Sequence, residues 1–365
     1  MIKEGKLGLH EAVCLTTIVI TSNVFYTSPG FLMHILGTIS WCSALISAAT
    51  AAIGFTIICL LLKRYPGKNI IEIFNITVGR YMGFIFSIIC FLSLALFATT
   101  TLREFIDVLK DYAFPLSATS YLVVIFVATV LILCRLGIEA IARFAKLSAY
   151  ALLLGLILVL ILAAQNYNLG RMFPLFGYGI GKTMLNGFKR SSLFGEVIIL
   201  AVIARSLQGT KHIKKAGYIS IVISGILISA TLFCFTITFP YYTGQEITSP
   251  MYELTALINY GVFIQRLDPI FLFAWCISSF IAITTLWYIS LSTYCKAFKM
   301  QDMKPLLLTS GIILFTLTML PRDITEVSMG YIQFFREYAW IVFFILPLIA
   351  LISSLIRRKG VKANA

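Results

Sequence analysis

The chain has 365 residues, of which 59% are hydrophobic and only 12% charged, with a net charge of +14 and a mean hydropathy of +0.95. A soluble domain carries about 25% charged residues. Too little charge is present to cover a water-facing surface of this size, which argues against a soluble enzyme, a disordered chain and a fibrous repeat. The expectation is one all-α polytopic membrane domain over 1–365 that needs no cofactor.

A helix that crosses the hydrocarbon needs about 20 mostly apolar residues. Ten stretches qualify: 9–33, 35–62, 82–102, 120–134, 144–164, 191–207, 216–239, 268–294, 305–320 and 338–356. Lipid offers no partner for backbone amides, so helices are predicted, and no run alternates like a membrane β-strand. Lys3 and Lys6 precede the first stretch, but no small-x-small cleavage pattern follows, so it reads as a retained helix. It is apolar to Ile20, meets Thr21-Ser22-Asn23-Val24 and continues toward Pro29-Gly30, where a broken helix is expected. A polar stretch over 165–171 then separates two halves of five spans, 9–164 and 191–356, which enter from opposite sides as an inverted repeat. The sixth stretch is interrupted at Gly195-Glu196, just after Ser191-Ser192. Paired interruptions in the first helix of each half expose backbone groups at the midplane, where secondary transporters hold substrate and ions.

Two shorter segments look like motifs. Gly177 to Thr183 resembles a phosphate loop, but Phe176 stands where the first glycine is needed and no strand precedes it, so nucleotide binding is not expected. Ser249-Pro250 is expected to cap and open a short interfacial helix whose apolar face carries Met251, Leu254, Leu257, Ile258 and Gly261.

Glu196 reads as the only acidic residue inside a span. A carboxyl in lipid is costly and faces a cavity or a partner. It is a candidate proton carrier, an organiser of the break, or a neutral cap on freed backbone groups. Lys146, early in the fifth span, snorkels to the interface or turns inward as a fixed cation replacing a coupling ion. Thr284 and Thr285 offer two hydroxyls for sodium, although helical threonines commonly bond back to their own turn.

With the N-terminus placed in the cytoplasm, 20 of the 29 basic residues fall on the inner side, while the nine outer ones are balanced by nine acidic residues. The net charge is thus the positive-inside bias, and nucleic acid is not an expected partner. Eight cysteines lie in or at the ends of spans without a C-x-x-C pair, and read as small packing residues. His10, His34 and His212 sit near helix ends, so no metal site is expected. Glu104, Asp107 and Asp111 read as solvated outer-loop charge, and an enzyme is not expected.

Local sequences resemble a known family. Arg266-Leu267-Asp268 followed by Trp275, Leu320-Pro321-Arg322-Asp323, Phe194-Gly195-Glu196, and Gly137-Ile138-Glu139 with Arg143 occur in the order found in the B subunit of GerA-type spore nutrient germinant receptors, within the amino acid–polyamine–organocation transporter superfamily. The resemblance runs over nearly the whole chain. It implies ten helices with a LeuT-like core and a pocket for a small germinant such as an amino acid. By position the pocket would include Ser22, Asn23, Val24, Ser93, Phe97, Phe194, Gly195, Ala282 and Thr285. It also implies an A subunit and a C-subunit lipoprotein as partners, and residence in the spore inner membrane with both termini cytoplasmic. Transporter relatives place glycines at the first break, where Ser22-Asn23-Val24 stands here. The expected activity is germinant sensing, with an H⁺- or Na⁺-coupled amino acid symporter as the alternative.

Overall fold

The structure is a computed structural model that describes residues 5–23, 28–261, 267–323 and 325–357. Val24, Arg266, Lys3 and the basic residues after Arg357 lie outside the described residues. Among those described, every regular element is helical. In chain order they are α1 (Leu9–Ser22), α2 (Ser28–Leu36), α3 (Ser40–Arg64), α4 (Ile70–Thr77), α5 (Arg80–Tyr112), α6 (Thr119–Leu136), α7 (Ile138–Leu162), α8 (Ile180–Lys189), α9 (Ile199–Val202), α10 (Thr210–Thr238), α11 (Tyr241–Glu246), α12 (Pro250–Ala256), α13 (Asp268–Ala297), α14 (Leu307–Met319), α15 (Ile332–Trp340) and α16 (Leu346–Ile356).

Seven stretches are long and apolar enough to cross a bilayer: Pro29–Arg64, Arg80–Tyr112, Thr119–Leu136, Ile138–Asn166, Thr210–Thr238, Asp268–Ala297 and Glu326–Ile356. The apolar helices Leu9–Ser22 and Lys304–Met319 are shorter. The remaining expected span is a chain of short pieces. α8 passes into a nine-residue 3₁₀ stretch, Arg190–Ile198, and then α9. The sixth segment therefore starts at Ile180, well before the expected residue 191, because its first half carries Gly181, Lys182, Asn186 and Lys189 and lacks a continuous apolar run. Its interruption is a change of helix type rather than an open coil. A 3₁₀ run of this length is unusual, since its hydrogen bonds are poorly aligned.

α1 ends at Ser22, with the Asn23 N–H donating to Ile20 and Thr21 carbonyls, and the next described helix begins at Ser28. Gly37, at φ +72°, separates α2 from α3. Only a residue without Cβ takes that conformation at no steric cost.

α1 and α13 form the centre. Leu15 to Asn23 and Ser278 to Thr293 are buried, apart from the half-buried Phe280. A helix that is apolar all round belongs in a core. α1 packs on α10, α7 and α13, α5 lies along α13, and α10 lies along α3. Phe105 of α5 packs edge-on between Phe126 of α6, 4.9 Å away, and Trp275 of α13, 5.2 Å away. On α6 and α7 large apolar residues point outward, Leu147 and Leu154 among them, as a lipid-facing surface requires.

Three sequence expectations change here. Glu104 and Asp107 are buried within α5 rather than solvated in a loop. The Arg103 Nε donates to Asp107 at 2.8 Å, and its other nitrogens donate to the Thr318 and Arg322 carbonyls, each at 3.2 Å. A guanidinium at the end of α14 satisfies carbonyls that the helix cannot, and complements its dipole. Second, the last span begins before residue 338, because charged residues ahead of it are helical and paired: Lys189 meets Glu337 in an ion pair. Third, the helix expected after Ser249 forms, yet the Ser249 hydroxyl is buried without a partner and does not cap it. Of its expected apolar face, Met251, Leu254 and Ile258 are fully buried against protein, while Leu257 and Gly261, past the end of α12, are exposed. Tyr112 and Tyr252 tie it down through hydrogen bonds to Glu253 and Asp268.

The α3–α10 contact needs a small residue at Gly217, where an added Cβ would stand 2.2 Å from the buried Phe55 ring. Close packing of small residues is the main adhesive between helices in lipid. Gly217→Val is expected to destabilise the protein by about 1–3 kcal/mol through overpacking. Gly155→Val, which meets open space, serves as the control. Thermal unfolding in lipid nanodiscs checks the pair, and equal midpoints would contradict the packing argument.

Candidate functional site

Three separated stretches meet around two buried charges. The 3₁₀ stretch contributes Glu196, α1 ends in Asn23, and α15 contributes Arg336; their exposures are 1%, 3% and 4%. The Asn23 amide nitrogen donates to both Glu196 carboxylate oxygens, at 3.0 and 3.2 Å, and to the Ile20 carbonyl at 3.1 Å. The Asn23 amide oxygen accepts from Arg336 Nη2 at 2.8 Å. Asn23 is thus an amide bridge between a buried carboxyl and a buried guanidinium, and the end of α1 is joined to both.

The surroundings hold each group in place. Arg336 lies 5.1 Å from the centroid of the Phe97 ring of α5, a cation–π distance. The Arg336 carbonyl accepts from Ser192 at 2.6 Å. Two turns away along the 3₁₀ stretch, Arg190 donates to Gln333 of α15 at 2.6 Å and stacks on Phe31 of α2 at 4.9 Å. α15 is flanked by π-helical segments, Glu326–Tyr331 and Ile341–Ile345, which re-aim side chains within a long helix. Gly195 lets the Phe343 ring approach, since a Cβ there would lie 2.2 Å from it. Beside Arg190 and Arg336, against α2 and α3, is a cavity of about 20 Å³ lined by Leu32, Ser43, Ala44, Ser47, Arg190, Leu193 and Arg336. That is room for one water, so a small organic ligand needs the site to open.

Of the residues expected to bind a ligand, Asn23 and Phe97 come together with Glu196 around Arg336. Phe194 and Gly195 are buried beside them on the same stretch, Phe194 facing α10 near Gly225. The Ser22 hydroxyl turns back to the Val19 carbonyl at 2.8 Å. Ser93 is half-buried, one turn before Phe97 on α5. Ala282 and Thr285 are buried on α13, and Thr285 bonds back to Ile281 at 2.6 Å. The Thr284 hydroxyl is buried without a hydrogen-bond partner. Lys146 sits apart, half-exposed, 3.6 Å from the Glu11 carboxylate of α1. Arg190, Gln333 and Arg336 lie just outside the stretches expected to span, 191–207 and 338–356. The usable signal was the i, i+3 spacing of Gln333 and Arg336 in register with the apolar face of the helix that follows. Among the described residues no group of three His, Cys, Asp or Glu could hold a metal.

Arg336→Met leaves Glu196 buried with its cationic partner gone, at an expected cost of about 3–5 kcal/mol. Adding Glu196→Gln should recover a large part of it, because an amide needs no counter-charge. A double-mutant cycle by thermal unfolding measures this, and additive losses would mean that the two charges do not interact.

The family model for "Spore germination protein" matches residues 6–327. The chain is 23% identical over 314 residues to spore germination protein KB of Bacillus subtilis (strain 168), covering 85% of this chain and 83% of that one. It is 24% identical over 323 residues to spore germination protein B2 of the same organism, covering 84% of each. Among solved structures, Mhp1, a nucleobase-cation-symport-1 family transporter in a closed conformation with bromovinylhydantoin bound, superposes with a TM-score of 0.67 at 13% identity, covering 97% of this chain and 91% of that one. A Na⁺-coupled sialic acid symporter in a substrate-bound outward-open state gives 0.66 at 12% identity, covering 96% and 79%. The fold is therefore LeuT-like. The chain belongs to the spore germination protein family, as an integral membrane protein with the architecture of secondary transporters.

Proposed function

We propose that this chain is the germinant-sensing B subunit of a spore nutrient receptor, and that its ligand is a small zwitterion such as an amino acid bound where α1, the 3₁₀ stretch and α15 meet. The observation that carries this reading is the Asn23 bridge between Glu196 and Arg336. A zwitterion brings an ammonium for Glu196 and a carboxylate for Arg336, and can replace both ends of the bridge without leaving either charge bare. Phe97, Phe194 and the backbone at Ser22 and Gly195 would wall the pocket, with Ser93, Ala282 and Thr285 on the flanking helices and Val24 in the adjoining connection. The ten-span scheme with repeats over 9–164 and 191–356 accounts for α1 and the sixth segment being the divided ones. The basic end of the bundle, with Lys63, Arg64, Lys68, Lys296 and Lys299, is placed in the cytoplasm by the positive-inside rule. The family membership supports residence in the spore inner membrane and assembly with an A subunit and a C-subunit lipoprotein.

The mechanism is a population shift. The bridged state holds the first segment closed on the last. A ligand favours the opened state only by its difference in affinity between the two, and moving the balance from 1:99 to 99:1 takes about 5.5 kcal/mol. A screen of amino acids, sugars and nucleosides against the purified protein in nanodiscs should find an amino acid that raises the unfolding midpoint. At 100 times its Kd the ligand contributes about 2.7 kcal/mol. Phe97→Ala should abolish that stabilisation while the protein stays folded. Stabilisation unchanged in Phe97→Ala and in Phe194→Ala would sink the assignment of the pocket.

A symporter coupled to H⁺ or Na⁺ is the second reading. The buried, unpartnered Thr284 hydroxyl favours it, with Glu196 and Lys146 as further coupling candidates. Proteoliposomes carrying an imposed proton or sodium gradient decide: sustained accumulation of the same amino acid replaces the sensor with a carrier.

A further inference from the structure

At the basic end of the bundle a cavity of about 640 Å³ lies between α4, the start of α5, the Ala204–Ser206 turn and the end of α13. Five cations line it, Lys68, Arg80, Arg205, Lys296 and Lys299, against a single carboxylate, Glu72. That carboxylate is already engaged by Arg205 at 2.6 Å, and Lys296 donates to the Val202 carbonyl at 2.7 Å. Lys68, Arg80 and Lys299 have no ion pair among the described residues. A concave site with so large an excess of one sign focuses its field and gathers counter-ions.

The backbone at Lys299 points the same way. It has φ +57°, the left-handed conformation that glycine adopts freely and a side chain does not. It closes the end of α13, where the Met300 N–H donates to the Cys295 carbonyl at 2.8 Å. Lysine at such a position sets a cationic side chain against a backbone preference for glycine, and an outlier of this kind points from structure toward function. Beside the cavity, the rings of Phe84 and Phe298 meet edge-on at 5.2 Å, and both are exposed. The charged cavity is thus bordered by an apolar surface of the sort that acyl chains cover.

We propose that this cavity binds a phosphate-bearing anion, with Lys68, Arg80 and Lys299 as the ligating cations and Arg205 and Lys296 shaping its walls. Phosphate oxygens accept several short charge-assisted hydrogen bonds at once, from lysine as a point charge and from arginine as a fork. Two sources present that chemistry at a basic membrane face: the headgroup of an anionic phospholipid and free phosphate. The apolar border at Phe84 and Phe298 suits the headgroup. The site is separate from the Asn23 bridge and does not depend on what binds there.

The test compares unfolding midpoints of the protein in nanodiscs of phosphatidylcholine alone, in nanodiscs with phosphatidylglycerol, and in phosphatidylcholine with inorganic phosphate at matched ionic strength. The wild-type midpoint is expected to rise with at least one phosphate source. Arg80→Gln combined with Lys299→Gly should lose that rise. Its midpoint in phosphatidylcholine alone should not fall, since glycine suits the backbone at 299. Lys214→Gln with Lys215→Gln, exposed on α10 near its basic end, should keep the rise. A response to phosphatidylglycerol alone identifies a lipid site, and a response to inorganic phosphate identifies a soluble anion. No response to either source, or an equal rise in the Arg80/Lys299 variant, overturns the proposal.

Discussion

The structure depends on how two opposite charges are kept inside a membrane protein. An isolated ion in the low-dielectric interior costs several kcal/mol even after relaxation, and Glu196 and Arg336 are both removed from solvent. Their solution is indirect. The Asn23 amide stands between them and gives each a partner. An amide is suited to this because it donates at one end and accepts at the other. The end of α1 is therefore fixed to the 3₁₀ stretch and to α15 by polar ties, while the rest of α1 is held by packing and by hydroxyl bonds with Ser220 and Ser224 of α10.

The same principle recurs elsewhere in the bundle. Arg103 is buried and draws on Asp107 one turn away and on carbonyls at and after the end of α14. Arg190 draws on Gln333 and the face of Phe31. In each case a long, planar cation reaches from one helical segment to acceptors on another. Arginine can do this because its fork of donors satisfies several acceptors at once. These contacts divide the bundle into pieces joined by polar ties, which is what a protein that changes packing needs: ties can be exchanged one for another, whereas interdigitated apolar surfaces resist sliding.

Much of the fold was legible in the sequence because hydropathy is a local property. The apolar runs and the interruption of the sixth segment at Gly195-Glu196 could be read directly, and Glu196 stood out as a carboxyl within an apolar stretch. The partner of Glu196 was not legible. Arg336 is 140 positions away in the chain, and a rule that puts every charge at a span end moved it outside the membrane. Asp107 was misplaced for the same reason, although its i, i+4 spacing from Arg103 is the spacing of a helical pair. The first half of the sixth segment was lost because α8 has a polar face and glycines that resemble a loop. Linear reading finds where charge is scarce; it does not find which charges meet.

The nine-residue 3₁₀ stretch has a geometric consequence. At about 2.0 Å per residue it extends roughly 18 Å, whereas the same residues as α-helix extend roughly 13.5 Å. With three residues per turn, Arg190 and Glu196 fall on one side of the rod; in an α-helix they stand about a third of a turn apart. Re-coiling Arg190–Ile198 would thus act as a screw, retracting one end of the segment by about 4.5 Å while swinging the two charges out of alignment. One segment would thereby supply both a stroke and a twist.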